Sequence, residues 1–192
     1  MMDRILIVTP GEKSAAGLSA LIRKVSPSAE LTVLTSASQA RRAVLDDAFD
    51  FLVVNSPLLD DSAAELCRMA ALNTDTSCLL LVKEEFFEAT LNECEGSGVA
   101  VVSKPVVYPI LYQSFSLLKS VKGKTDTLRH ENERLRAKLE EVKLISQAKC
   151  LLIEKKGCSE EAAHHLIERR AMNSRISAKE AAGQILRIYS DN

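Results

Sequence analysis

No two of the five cysteines, Cys67, Cys78, Cys94, Cys150 and Cys158, form a C-x-x-C pair, and their number is odd. Such scatter argues against a disulfide framework or a structural zinc and fits a reducing compartment. Long apolar runs are missing as well. The longest, Cys78 to Val82, falls far short of the roughly 20 residues a helix needs to span a bilayer. The first residues, MMDRILIVTP, enter a strand-like run directly and show no cleavable signal. The expectation is a cytoplasmic protein with no membrane contact. Paired catalytic carboxylates, an activated nucleophile and a phosphate-cradling glycine loop are also missing. An enzyme is therefore not expected, nor a bound cofactor or metal.

What is present is enough apolar material for a core. Apolar residues make up 46% and charged residues 27% of 192, which argues against wholesale disorder and suits one ordinary domain with a small appendage. The net charge of −1 conceals a split. Residues 1–121 carry 10 Lys+Arg against 15 Asp+Glu, net −5, and residues 122–192 carry 15 against 11, net +4. A basic second part behind an acidic first part suggests that the second part meets a polyanion.

Five short apolar runs, at residues 4–8, 31–34, 51–54, 78–82 and 99–102, read as buried parallel strands. Between them, Leu18, Leu21, Ile22 and Val25 follow helical spacing. So do Ala64, Leu66, Cys67 and Ala70, and then Phe86, Phe87, Leu91 and Cys94. The alternation predicts right-handed crossovers and a small α/β domain, a doubly wound five-stranded parallel sheet. Residues 109–120, with Pro109 near the first turn, read as its last helix.

This layout resembles the receiver domain of bacterial response regulators, a flavodoxin-like fold. The match is carried by Ser103-Lys104-Pro105 after the fifth strand and by D-F-L-V-V-N-S-P at residues 50–57. Receivers keep a lysine at the first site, followed by a proline with a cis bond. The departures are as informative. Asn55 stands where receivers place the phospho-accepting aspartate, and an amide cannot form the acyl phosphate. The acidic pair that would hold Mg²⁺ corresponds to Thr9-Pro10-Gly11-Glu12, too few carboxylates for a hard cation. Val82 or Lys83 replaces the hydroxyl expected after the fourth strand. Asn55 and Lys104 thus mark a degenerate phosphorylation site in a pseudo-receiver. Asp60 and Asp61 read as a solvated start to the third helix, favoured at its positive end.

After Gly123 the chain becomes charged and nearly free of turn residues. With Leu128, Leu135 and Val142 at d, Asn132 and Leu139 fall at a, giving about three imperfect heptads. An asparagine at a with leucine at d favours a parallel homodimer in fixed register. Glu131 and Arg136 would attract across such a pair, whereas Lys138 and Lys143 would repel. The other reading of the segment is a solvated helix packed on its own domains.

Toward the end, AKCLLI leads to Gly157, a natural stop after Lys155-Lys156. Ser159 caps a second helix with Glu160 and Glu161 in its first turn, and Ala162, Ala163, Leu166, Ile167 and Met172 as its apolar side. Ser177 and Glu180 form a capping box that opens a third helix with Ala181, Ala182, Ile185, Leu186 and Tyr189 inward. Over about residues 145–188, Ala148, Lys149, Leu151 and Leu152, then Gly157, Ser159, Glu160, Ala162, Leu166, Ala171 and Met172 resemble the ANTAR domain, with Cys150 where glycine is usual.

That resemblance implies an RNA-binding transcription antiterminator, whose partner is a pair of stem-loops in a nascent leader transcript. The division it suggests is a pseudo-receiver at 1–121, a coiled-coil linker at 122–146 and an ANTAR domain at 147–192. Lys149, Lys155, Lys156, Arg169, Arg170, Arg175 and Lys179 are the candidate RNA contacts, as cations that place phosphates. Lys155 and Lys156 serve equally as complements to a helix C-terminus. His164 and His165, adjacent on the second helix, read as surface residues or base-stacking groups rather than a metal site. Loss of the acceptor aspartate points to control by a regulatory protein partner, a ligand or abundance. Two other functions stay compatible with three helices and a basic face: a DNA-binding response regulator, and a protein-interaction adaptor dimerising through the coiled coil.

Overall fold

A computed structural model describes residues 2–190, which fall into two compact units divided between Lys124 and Thr125. In the first unit, β1 (Arg4–Val8), β2 (Glu30–Leu34), β3 (Phe51–Asn55), β4 (Ser77–Lys83) and β5 (Val99–Lys104) form one parallel sheet ordered β2-β1-β3-β4-β5. Helices α1 (Glu12–Val25), α2 (Ala37–Asp46), α3 (Ala63–Asn73) and α4 (Phe87–Glu93) connect successive strands.

The side-chain period of two divides the core into two faces. Ile5, Ile7, Phe51, Val53, Leu79 and Leu81 point to one face, where Leu18 and Ile22 of α1 cover them. Leu111, Phe115 and Leu118, on the first turns of the helix after β5, complete that layer. Leu6, Val8, Leu52, Val54, Leu80 and Val82 point the other way, beneath α2, α3 and Cys94. Every residue from Ile5 to Val8 is fully buried, as expected of a strand covered on both sides. The doubly wound sheet read from the sequence is the one observed.

Three local expectations are corrected. A 3₁₀ turn at Glu84–Phe86 precedes α4, so Phe87 and Cys94 pack inward while Phe86 and Leu91 are exposed. The last helix of the sheet unit does not stop near residue 120. It is the first part of α5, which runs without a break from Tyr108 to Lys156. Gly123 lies inside it with open space where a Cβ would stand, so it acts as a plain helical residue. Asp60 and Asp61 do not begin α3, which opens at Ala63 under a cap from Ser62.

Asp60 instead caps α2. Its carboxylate accepts from the backbone N–H groups of Ala37 (2.9 Å) and Ser38 (3.1 Å) and from the Ser36 hydroxyl (2.7 Å). Asp61 accepts from Arg41 Nε at 2.8 Å and faces its Nη2 at 2.7 Å. The bond from Ala37, with those from Ser36 and Ser38, holds the Asp60 carboxyl well below the usual carboxylate range. A depressed carboxyl stabilises the fold fully above its unfolded value, about 3.9, and the stabilisation is lost as pH falls below that. Asp60→Ala is therefore expected to lower the melting midpoint at neutral pH, with the gap from the parent closing as the pH falls below about 4. Thermal melts across that range check this; a gap that stays constant in acid would show that the charge of Asp60 is not what caps α2.

In the second unit the C-terminal turns of α5 pack with α6 (Glu160–Ser174) and α7 (Ala178–Ser190). Ala148, Leu152, Ala163, Ile167, Ala171, Ala181, Ala182 and Ile185 form its buried core. Leu166, Ile176 and Tyr189 border that core, whereas Ala162 and Met172, expected inward, are exposed. Both lie off the stripe set by Ala163, Ile167 and Ala171, whose small members let α6 come close to its neighbours.

Candidate functional site

Two places carry the residues singled out by sequence. At the carboxyl edge of the sheet, Asn55 ends β3 and its Nδ2 donates to Thr9 Oγ1 at 2.9 Å. Thr9 is fully buried, and its backbone N–H donates to Leu34 O at 3.0 Å. Lys104 Nζ donates to the Ser56 carbonyl, and both Ser56-Pro57 and Lys104-Pro105 are cis. Burial lowers the Lys104 pKa, with Lys83 adding to the effect. Val82 is buried, while Lys83 is exposed and pairs with Glu85 at 3.3 Å.

The cavity beside Asn55 and Lys104, about 220 Å³, is walled by Leu18, Leu21, Leu81 and Val106 and has no carboxylate in its lining. Glu12 is exposed on the first turn of α1. Among the described residues no three His, Cys, Asp or Glu side chains are grouped to hold a metal ion. Where a receiver would concentrate negative charge, this edge has a neutral amide–hydroxyl pair and a lysine bound to a carbonyl.

The second place is the small helical unit. Gly157 ends α5 in the left-handed region (φ 61°), its N–H donating to Ile153 O at 2.9 Å. The Ser159 hydroxyl caps α6 by accepting from Ala162 N at 3.2 Å. Both halves of the Ser177–Glu180 box form: Glu180 N donates to Ser177 Oγ (3.1 Å), and Ser177 N donates to Glu180 Oε2 (2.9 Å). Those bonds from Ser177 hold the Glu180 carboxyl below its usual value. Between the helices Arg175 adopts left-handed backbone (φ 52°), which leaves its own N–H to bond Met172 O and that of Ile176 to bond Ala171 O. Sequence reading had no glycine to mark this stop.

These caps decide where the cations stand, and the seven candidates separate into two groups. Lys149 is paired to Glu160 (2.7 Å), Lys179 to Glu140 (3.1 Å), and Arg170 Nε donates to Gln184 Oε1 at 3.2 Å. The Lys149 bond lowers the Glu160 pKa. Lys155, Lys156, Arg169 and Arg175 have no side-chain partner among the described residues. Lys156, Arg169 and Arg170 converge on one cleft of about 370 Å³, which Asn173 and Tyr189 also line. Sequence reading missed Asn173; Tyr189, read as inward-facing, is partly buried against the core and also lines this cleft. His164 and His165 are both exposed and lie 3.4 and 3.1 Å from Glu168.

Along α5, Leu128, Leu135, Leu139 and Val142 are 50–70% exposed, and Asn132 is exposed among them. Glu131 pairs within its own helix, with Arg134 at 3.0 Å. No helix of the described residues is long and apolar enough to cross a membrane.

No curated protein matches the chain in sequence. Solved structures do match in fold. The chain is similar to the signal receiver domain of an HD domain-containing protein from Pseudomonas fluorescens, at 16% identity over 66% of this chain and 93% of that one, TM-score 0.58. It is also similar to a protein titled adenylate cyclase from Rhodopirellula baltica (19% identity, 71% and 98% covered, TM-score 0.57). A response regulator receiver domain protein from Clostridium thermocellum gives 12% identity, 66% and 99% covered, and TM-score 0.56. At such identities the likeness is one of fold. Residues 133–186 match the family model of the ANTAR domain. The chain thus joins a domain of receiver fold to a segment, residues 133–186, that matches the ANTAR domain.

Proposed function

We propose that this protein is an RNA-binding transcription antiterminator that grips stem-loops in nascent leader transcripts and so prevents a terminator hairpin from forming. The observation that carries this function is the ANTAR match over residues 133–186. Lys155, Lys156, Arg169 and Arg175, without a side-chain partner among the described residues, support it, since such cations can meet phosphates. In this scheme residues 1–121 receive the input, 122–146 pair two chains and 147–192 contact RNA. Competition gel shifts test it: hairpin RNA should displace duplex DNA from the chain at low salt, where phosphate contacts are strongest. Preference for duplex DNA would instead make it a DNA-binding regulator.

Control by phosphoryl transfer is not part of this function. Asn55 donates its amide to Thr9, Lys104 is bound to a carbonyl, and no carboxylate is among the described residues lining the cavity they border. Acetyl phosphate should therefore leave the intact mass of the protein unchanged. Stoichiometric labelling of an aspartate in the first unit would contradict this and restore a phosphorylation switch. A regulatory protein that covers the pairing seam or the RNA face is the input we favour.

The exposed seam supports a homodimer. Leu128, Leu135, Leu139 and Val142 present an apolar stripe, and Asn132 at an a position favours a parallel pair in one register. Two ANTAR units on one dimer make the second stem-loop contact intramolecular, which raises affinity without new contacts. Leu135→Glu should yield a monomer by sedimentation, whereas Asn132→Leu should tighten association and loosen the choice of oligomer. A parent protein that sediments as a monomer at micromolar concentration would remove the seam from the scheme.

A further inference from the structure

The cleft formed by α5, α6 and α7 gathers three of the seven candidate cations. Its floor is apolar, from Leu152 and Ile185, which are 2% and 4% exposed. Its rim carries Lys156, Arg169 and Arg170, and none of the described residues that line it is acidic. Elsewhere in the unit the candidate cations Lys149 and Lys179 are offset by Glu160 and Glu140. Tyr189, which also lines the cleft, is half-buried, so part of its ring is left available, and Asn173 lines it as an exposed residue. The amide of an asparagine offers a donor and an acceptor side by side. At about 370 Å³ the space lies within the range of small-ligand pockets, about 300–1,000 Å³.

A group that suits this cleft has a flat apolar body, hydrogen-bonding edges and an attached anion. A protein side chain or a bare phosphate satisfies only part of that description; a nucleotide satisfies all of it. Duplex RNA keeps its bases stacked and its major groove narrow, so a base reaches such a cleft only from a single-stranded loop. We propose that the cleft receives one unstacked base of the bound hairpin loop. Tyr189 stacks on its face, Asn173 reads its edge, and Lys156, Arg169 and Arg170 hold the flanking phosphates. This deepens the RNA-binding function proposed above and rests on it.

The test uses the full-length chain and a hairpin library with a randomised loop, enriched by binding. The best hairpin is then re-made with each loop base in turn replaced by an abasic site. One such replacement should weaken binding by about 5- to 150-fold, the cost of losing a stacked base. Tyr189→Leu should weaken binding of the intact hairpin to a similar degree and make that abasic replacement silent, while Tyr189→Phe keeps the parent behaviour. Asn173→Ala, a change on the surface, should shift the base preferred at that position without altering the thermal melt. If hairpins are enriched but the abasic penalties persist unchanged in Tyr189→Leu, the cleft is not the base site and the RNA function stands. Displacement of the hairpin by free nucleoside monophosphates at comparable concentration would reassign the cleft to a small nucleotide and overturn the proposal. Failure to enrich any hairpin would overturn both the cleft and the RNA function.

Discussion

Replacing Arg169 and Arg170 together with alanine should weaken hairpin binding at least about tenfold and flatten its salt dependence, each lost phosphate contact removing about one unit of slope. Both residues stand on the rim of a cleft with no acidic residue among its described lining, so their charge is left for the ligand. Lys149→Ala and Lys179→Ala serve as contrasts. Each of those lysines is already held by a glutamate, at 2.7 and 3.1 Å. Their loss should change affinity far less. Titration of labelled hairpin at several salt concentrations separates the cases, and equal losses from all four positions would mean that the whole surface acts as a diffuse cation. The thermal melt of the arginine double variant should match the parent, because neither side chain belongs to the buried core.

Ile167→Ala should do the opposite: remove the fold of the second unit while leaving every cation in place. Of the eight buried residues in that core, five are alanines, so Leu152, Ile167 and Ile185 are the large side chains among them. Truncating a buried isoleucine costs about 2–5 kcal/mol. Small units have about 0.05–0.15 kcal/mol of stability per residue, so the loss is comparable to the whole reserve. Hydrogen exchange on the full chain should show α6 and α7 losing protection while the sheet keeps its own, and hairpin binding should vanish with them. Persisting protection in α6 would show that the alanine contacts alone suffice to hold the helices.

The parts that sequence made legible are those set by local pattern. Runs such as Cys78–Val82 are too short and too apolar to be anything but strands buried on both sides, and the sheet follows from their alternation with helices. The Ser177–Glu180 box was equally plain, because both partners lie within one turn. What stayed hidden depends on residues distant in the chain. Asp60 caps a helix that begins 23 positions earlier, a bond no local pattern announces. Asn173 and Tyr189 meet at one cleft only because α6 and α7 fold back on each other, and Tyr189 alone reads as another core residue of α7. Arg175 shows a left-handed stop without glycine, imposed by the bonds to Met172 and Ala171.

The amide–hydroxyl contact between Asn55 and Thr9 has a thermodynamic meaning beyond chemistry lost. A cluster of acids at one sheet edge stores mutual repulsion, which a bound cation or a rise in acidity relieves. Here that edge pairs a neutral amide with a hydroxyl beside Lys104, while Asp60 and Asp61, downstream of β3, are engaged by a helix terminus and an arginine. The neutral pair of Asn55 and Thr9 stores no such repulsion between its members.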